Sequence, residues 1–395
     1  MIPSSAGWHP TWVIDRAMIQ QRKDLAKARR MVIKIGSSLL ADANSGVQLA
    51  RMRCIADCVA DLHQHGKQVC LVSSGSVALG RVHLGWSGRA LTVHEKQAAA
   101  AVGQPLLMRA WGDAFAVHGL TVAQMLLTKD DLRHRRRYLN VSNTSSTLFG
   151  EGVVPIVNEN DTVAADEIKF GDNDALAALA ALVIDADLLV LMTDVDGLHD
   201  ANPRHDPQAK RLAEVREWRP GLLDLVDGQG DDFATGGMES KLKAARVALR
   251  SGVVTAMICG ADGESLTRLL AGGDVGTLLY CSDDRQSHRR HWIAEVLEAA
   301  GTVNIDAGAA RALSHRGGSL LPVGVVSIKG VFDKGDCVEV YADGVLLGRG
   351  LVNYTNEEVR QLIGVGSERI EELLGYVDYT SVIHRDNLVL LGERK

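Results

Sequence analysis

Val153-Val-Pro-Ile-Val157 runs straight into Asn158-Glu-Asn-Asp161, and Gly171-Asp-Asn-Asp174 follows one short arm later, ahead of the apolar stretch from Ala175 to Ile184 and a second apolar run from Leu188 to Met192. The order is strand, polar corner, helix, strand, which is the repeating unit of a parallel sheet. Seven acid or amide side chains therefore collect where a buried strand delivers its polar end and a helix begins. Apolar runs on both sides make solvation a poor reason for that concentration. The corner is the first candidate for chemistry.

The same alternation extends outward from residue 31 to about 280. Strands are predicted at Met31 to Ile35, Gln68 to Val72, Thr121 to Leu126, Val153 to Val157, Leu188 to Met192 and Val254 to Ile258. Helical patterns separate them at Ala50 to His65, Glu95 to His118, Asp130 to Phe149, Asp174 to Ile184 and Glu239 to Ser251. This is the signature of an α/β fold, an open and mainly parallel sheet sandwiched by helices. Ligands of such sheets collect beyond the carboxyl ends of the strands, so the loops starting at Gly36, Ser73, Asn158 and Thr193 should converge on one crevice.

Composition changes after Tyr280. Ser282 to Arg290 is polar, readable as a linker or as the solvated start of a helix. Beyond Ala300 short strands with turn signals take over, as in Val325 to Gly330, Cys337 to Tyr341 and Val345 to Gly350. The expected organisation is an extension at 1–30, an α/β domain at 31–281, a linker at 282–300 and a smaller β-rich domain at 301–395. A chain of 395 residues fits two cores better than one.

Charge and composition exclude several classes. A net charge of -6 gives no global basic field, which argues against nucleic acid as the main partner. The longest apolar runs are too short or too interrupted to span a bilayer, and residues 1–30 lack the continuous apolar core of a signal peptide. The cytoplasm is the expected location. Six cysteines scattered without CxxC spacing read as buried reduced thiols, with Cys54 and Cys58 four apart on one helix. Arg133 to Arg137 reads as a solvated helix face, and Trp86 and Trp111 as packing residues.

Three further segments carry chemistry. Val32-Ile-Lys34-Ile-Gly36-Ser37-Ser38 places one lysine in an apolar strand, and a buried lysine needs an anion; Gly36 and the N–H groups after it could cradle phosphate oxygens. Read alone, the same residues also suit an edge-strand lysine beside an ordinary turn. Ser73-Ser74-Gly75-Ser76 ends another strand with hydroxyls and a glycine, a weak pattern able to hold a carboxylate or phosphate. Thr235-Gly236-Gly237-Met238-Glu239-Ser240-Lys241 puts two glycines ahead of a helix whose first turn bears a lysine, so helix end and ammonium could act on one developing charge. No Walker motif is present. Asp161 and Asn160 could equally be turn residues, and Asp172 or Asp174 could cap the helix that follows. Taken together the segments suggest phosphoryl transfer to a small, polar, amine-bearing acid.

Lys34-Ile-Gly-Ser-Ser38, Ser73-Ser-Gly75, Gln124-Met-Leu-Leu-Thr128, Asn158-Glu-Asn-Asp161, Gly171-Asp-Asn-Asp174, Thr193-Asp194, Gly236-Gly-Met238 and Lys241 stand in the order found in the bacterial glutamate 5-kinases, which the chain resembles over about residues 31 to 280. That group belongs to the amino-acid kinase family. The carboxyl-terminal region resembles the PUA domain appended to many of them. The resemblance implies transfer of the γ-phosphoryl group of ATP to the γ-carboxylate of L-glutamate, the first step of proline biosynthesis, with feedback inhibition by proline. It implies catalytic roles for Lys34, Asp174 and Lys241, glutamate binding by Ser74, Asp161 and Asn173, and ATP binding by Lys34, Thr193, Asp194 and the segment Thr235, Gly236, Gly237, Met238, Glu239, Ser240 and Lys241. Mg2+ held mainly by phosphate oxygens and water would accompany ATP, with no protein metal site.

The resemblance also implies a homo-oligomer, dimer or tetramer, and functional coupling to glutamyl phosphate reductase. Two other readings stay open at this point: a kinase for aspartate, acetylglutamate or carbamate, and an RNA-binding regulator on an inactive kinase fold. Intact Lys34, Asp174 and Lys241 speak against the second, and residues 301–395 hold more acids than bases, so RNA affinity is expected to be poor. Residues 1–30 precede the usual start of the family and suggest an arm at a subunit contact.

Overall fold

The structure is a computed structural model that describes residues 19–42, 46–163, 172–203, 206, 208–219, 221–224, 237–260, 264–281 and 297–391. The expected linker at 282–300 lies almost wholly outside them. The described residues cluster into two compact units, one drawn from residues up to 126, 148–245 and 253–280, the other from 127–147, 246–252 and 281 onward.

In the first unit β1 (Arg30–Ile35), α1 (Leu49–Gln64), β2 (Gln68–Ser73), α2 (Ser76–His83), α3 (Val93–Ala116) and β3 (Val122–Leu127) follow in order. Next in the chain come α4 (Lys129–Arg133) and α5 (Arg135–Gly150), which fall almost wholly in the second unit, and then, back in the first, β4 (Val154–Glu159), α6 (Asp172–Val183), β5 (Leu188–Thr193), β6 (Glu214–Val215), α7 (Met238–Arg250, whose last residues belong to the second unit), β7 (Val254–Cys259), α8 (Ser265–Leu270) and β8 (Thr277–Leu279). Eight strands form one sheet in the order β3-β4-β2-β1-β5-β7-β8-β6. The run β4-β2-β1-β5-β7 is parallel, and β8 turns antiparallel to β7 at one side. All six predicted strands are present within one or two residues of their expected limits. The short β6 and β8 carry too few residues to leave a pattern.

The central strands are buried on both faces, as parallel strands under two helical layers must be. Every residue of β5 is buried, and α6, rich in alanine and leucine, is buried nearly all round. Register places the carboxyl ends together: Ile35 lies opposite Ser73 and Met192, while Val72 lies opposite Val157. The turns after β1, β2, β4 and β5 therefore open on the same edge, as the sequence predicts.

Two helices behind that edge approach unusually closely. A Cβ on Gly80 would come within 1.7 Å of the Ala99 carbonyl oxygen, and one on Gly103 within 1.8 Å of the Ser76 carbonyl oxygen. Only glycine allows α2 and α3 to cross there. Thr92 and Glu95 start α3 with a reciprocal capping box, Glu95 N–H donating to Thr92 Oγ1 and Thr92 N–H to Glu95 Oε2. The single helix expected from Asp130 to Phe149 is broken, because His134 adopts an extended ψ of 119° between α4 and α5.

Residues 22–27 form a 3-10 turn packed on α8 within the same unit. The Arg22 guanidinium donates to four carbonyl oxygens, those of Ala213 at 2.6 Å, Val275 at 2.8 Å, Gly273 at 3.0 Å and Gly276 at 3.1 Å. This part of the expected arm is therefore a clamp on the β6–β8 side of the sheet. Arg22→Ala should cost about 2 kcal/mol, since hydrogen bonds from a charged donor are lost and buried acceptors are left behind. Denaturant unfolding checks this: an unchanged midpoint would mean that the clamp contributes nothing.

Among the described cysteines only Cys70 and Cys337 match the expectation of buried thiols, and burial pushes both thiol pKa values up to about 12. Cys54 is exposed, a correction to that expectation that follows from its place on the outer face of α1. The second unit contains a five-stranded sheet in the order β10-β9-β11-β12-β13, where β9 is Gly301–Ile305, β10 Val325–Gly330, β11 Cys337–Ala342, β12 Val345–Val352 and β13 Ile383–Leu390. Val303, Val338, Val340, Tyr354 and Ile383, each essentially without solvent exposure, belong to its own core. Among the described residues no helix is long and apolar enough to cross a membrane.

Candidate active site

Three charged side chains meet beneath the sheet edge. Lys34, the fifth residue of β1, lies in close ion-pair contact with Asp174 Oδ1 at 2.6 Å; Lys241 Nζ stands 3.4 Å from Asp174 Oδ2 and donates to it. Ser240 Oγ donates to the same Oδ2 at 2.6 Å. Asp174 is fully buried, and Lys34 and Lys241 are only 4% and 6% exposed. Burial pushes the Lys34 ammonium below its ordinary pKa; the Asp174 carboxylate works against that shift and Lys241 adds to it. The trio has a formal excess of one positive charge, so it is built to meet an anion.

The local sequence explains each placement. Lys34 projects from a strand whose neighbours on both sides are the apolar β2 and β5. Asp174 is in the first turn of α6, where a carboxylate is favoured by the helix dipole, and Ser240 and Lys241 sit in the first turn of α7. Capping alone, the alternative reading for Asp174, does not account for two lysines directed at it.

Beside the trio lies a cluster of amides and hydroxyls with one carboxylate, that of Asp161. Asn173 Nδ2 donates to Ser74 Oγ at 2.7 Å, to Asn158 Oδ1 at 3.0 Å and to the Ser73 carbonyl at 3.3 Å. Asn158 Nδ2 donates to Gln104 Oε1 at 2.8 Å and lies 3.4 Å from Ser76 Oγ, which in turn donates to Asp161 Oδ2 at 3.2 Å. Asp161 is raised above the ordinary aspartate pKa by burial, with the Ser76 hydrogen bond acting in the opposite direction. Asn173 and Asp174 are consecutive, so the start of α6 joins the two clusters.

Ser74, Asp161 and Asn173 are thus gathered through shared partners, and Lys34, Asp174 and Lys241 through direct contact. Thr193, at the end of β5, donates from Oγ1 to Asp194 Oδ1 at 3.0 Å; Asp194 is exposed. Gly237 and Glu239 are exposed and Met238 half-buried at the start of α7, with Glu239 paired to Lys243 at 2.6 Å. Thr235, Gly236 and Gly171 lie outside the described residues.

Sequence reading missed Gln104 and the polar role of Trp111, whose indole N–H donates to Ser73 Oγ at 2.9 Å while its ring is fully buried. Both come from α3, a helix of mostly small and apolar residues, and the signal that could have found Gln104 is its position immediately before Pro105 inside the helix. Asp172 is in the first turn of α6, and Asn160 Oδ1 accepts from Thr162 Oγ1, a local turn contact. Trp86 packs against Arg89, its ring centroid 4.7 Å from the guanidinium.

The sequence model of the Amino acid kinase family matches residues 29–260, and that of the PUA domain residues 301–374. Curated relatives named Glutamate 5-kinase match almost end to end. The protein of Chromohalobacter salexigens is 49% identical over 94% of this chain and 98% of its own length. Those of Ectopseudomonas mendocina and Geobacter sulfurreducens are 48% and 47% identical, over 94% and 93% of this chain and 100% and 99% of theirs. The chain belongs to the amino acid kinase family and, at this identity over nearly the whole of both chains, to its glutamate 5-kinase branch.

Proposed function

We propose that this chain transfers the γ-phosphoryl group of ATP to the γ-carboxylate of L-glutamate, giving L-glutamyl 5-phosphate and ADP. The observation that carries the reading is the buried Lys34–Asp174–Lys241 trio joined through α6 to the Ser74–Asn173–Asp161 cluster. It agrees with the name borne by the full-length relatives.

The γ-carboxylate is already ionised near neutral pH, so no general base is needed. One of its oxygens attacks the γ-phosphorus, and the bond from that phosphorus to the β,γ-bridging oxygen breaks with its electron pair leaving on ADP. The difficulty is bringing two anions together, and the enzyme answers it by placing charge in advance. We assign Lys34 to the transferring phosphoryl group, Lys241 to the leaving side, and Asp174 to fixing both ammonium groups. Ser74, Asn173 and Asp161 take the amino-acid end of glutamate, Asp161 pairing with its ammonium. Thr193, Asp194 and residues 235–241 receive the nucleotide. The two buried lysines suit a polyphosphate, whose Mg2+ would be carried by phosphate oxygens and water.

ADP release measured with and without L-glutamate tests the reading, which requires release to depend on the amino acid. Asp161 adds a pH signature. Its carboxylate must be ionised to pair with the ammonium, and burial raises its pKa, so glutamate affinity should fall as pH drops through a value above the ordinary aspartate range. Asp161→Asn should raise the glutamate KM about ten- to a hundredfold, the worth of one charged hydrogen bond, and flatten that pH dependence. A variant whose KM still rises on acidification would show that another group titrates.

Proline shares the α-carboxylate and a positively charged α-nitrogen with glutamate, so it could occupy the Asp161 end and compete. We propose feedback inhibition on that basis, relieved by high glutamate. A cytoplasmic homo-oligomer is the setting we favour, with the C-terminal β-rich domain beginning near residue 301. The acyl phosphate product hydrolyses readily, which favours functional coupling to the reductase that would consume it.

A further inference from the structure

We propose that Gln104 is a positioning residue for the amino-acid substrate, acting through Asn158 on Asn173; the inference rests on the glutamate reading above. One backbone group decides the orientation of three side-chain amides. Glu159 N–H donates to Asn158 Oδ1 at 2.9 Å, so the other end of that amide is the NH2. That NH2 donates to Gln104 at 2.8 Å, so Gln104 presents its oxygen. Asn173 faces two acceptors, Asn158 Oδ1 and the Ser73 carbonyl, so it presents its NH2 to them and to Ser74. No member of the row can flip without breaking a bond to its neighbour.

This polarity leaves one group over at each end. Gln104 Nε2 and Asn173 Oδ1 are buried atoms with no hydrogen-bond partner among the described residues. A buried polar atom left in that state asks for a ligand or an ordered water. The Asn173 oxygen, in the same cluster as Asp161, is an acceptor of the kind an ammonium requires. Its aim is set by Asn158, and the aim of Asn158 is set in part by Gln104. The anchor itself is fixed: Gln104 is 8% exposed, its neighbour Gly103 packs against the Ser76 carbonyl, and Trp111 two turns later holds Ser73. Helix α3 therefore orients the substrate side of the pocket from behind.

The test is steady-state kinetics on the full chain. Gln104→Met, similar in size but with no acceptor oxygen, should raise the glutamate KM about tenfold while kcat and the ATP KM stay within about twofold. In an Asn173→Ala background the same substitution should change the glutamate KM less than about twofold, because the residue through which it acts is gone. Gln104→Glu keeps an oxygen toward Asn158 and should hold the glutamate KM within about threefold of wild type, and it carries the test alone if Gln104→Met does not fold. An equal KM increase in both backgrounds, a parallel rise in the ATP KM, no increase at all, or a tenfold rise in Gln104→Glu would overturn the proposal. A wild-type chain without L-glutamate-dependent ADP release would instead remove the glutamate reading on which it stands.

Discussion

Replacing either Lys34 or Lys241 by alanine should lower kcat by about two to three orders of magnitude, the usual consequence of deleting one preorganised charge that acts on a transition state. The glutamate KM should move far less, because both ammonium groups face Asp174 and not the Ser74–Asn173 cluster. The direction is fixed by burial. At 4% and 6% exposure these charges act with little screening by water, so their removal is felt where negative charge develops. Rapid-quench turnover, with glutamate affinity measured separately, distinguishes the two effects. A variant of either lysine that kept wild-type turnover would strike its assignment.

Asp174→Asn should damage turnover at least as severely and should also destabilise the fold. Removing the carboxylate leaves two buried ammonium groups without their shared counter-ion, and breaking a buried ion pair at one partner costs about 3–5 kcal/mol. The pH dependence has a definite sign. Burial already lowers the Lys34 pKa and Asp174 works against that shift, so without it the pKa falls further. Residual activity, which needs the protonated lysine, should then be lost as pH rises, at a lower pH than in wild type. Thermal unfolding and a pH–rate profile check both parts, and a variant of unchanged stability would contradict the counter-ion role.

Strands such as Met31 to Ile35 and Leu188 to Met192 were legible in the sequence because a parallel strand buried on both faces must be apolar throughout, and the polar corners after them stood out by contrast. The charged trio could be suspected for the same reason, since a lysine inside an apolar strand demands an anion. That Lys34 and Lys241 share Asp174 was implied by the family resemblance and not by the spacing of the residues, because the two lysines stand 207 positions apart in the chain. Gln104 was hidden differently: one of two glutamines in a helix of mostly small and apolar residues, it acquires its meaning only when Gly103 lets that helix approach Ser76. The clamp at Arg22 was invisible because its partners are backbone carbonyls, which carry no residue identity.

The most direct test is ATP-dependent hydroxamate formation with purified full-length chain, compared across L-glutamate, L-aspartate and N-acetyl-L-glutamate. Hydroxylamine traps an acyl phosphate and so reports the phosphorylated carboxylate itself. Strong formation is expected with L-glutamate, loss of signal without ATP, and little with L-aspartate, whose side chain is one methylene shorter, or with N-acetyl-L-glutamate, which lacks the ammonium assigned to Asp161. Equal or greater formation with N-acetyl-L-glutamate or L-aspartate, or none with L-glutamate, would contradict the glutamate reading.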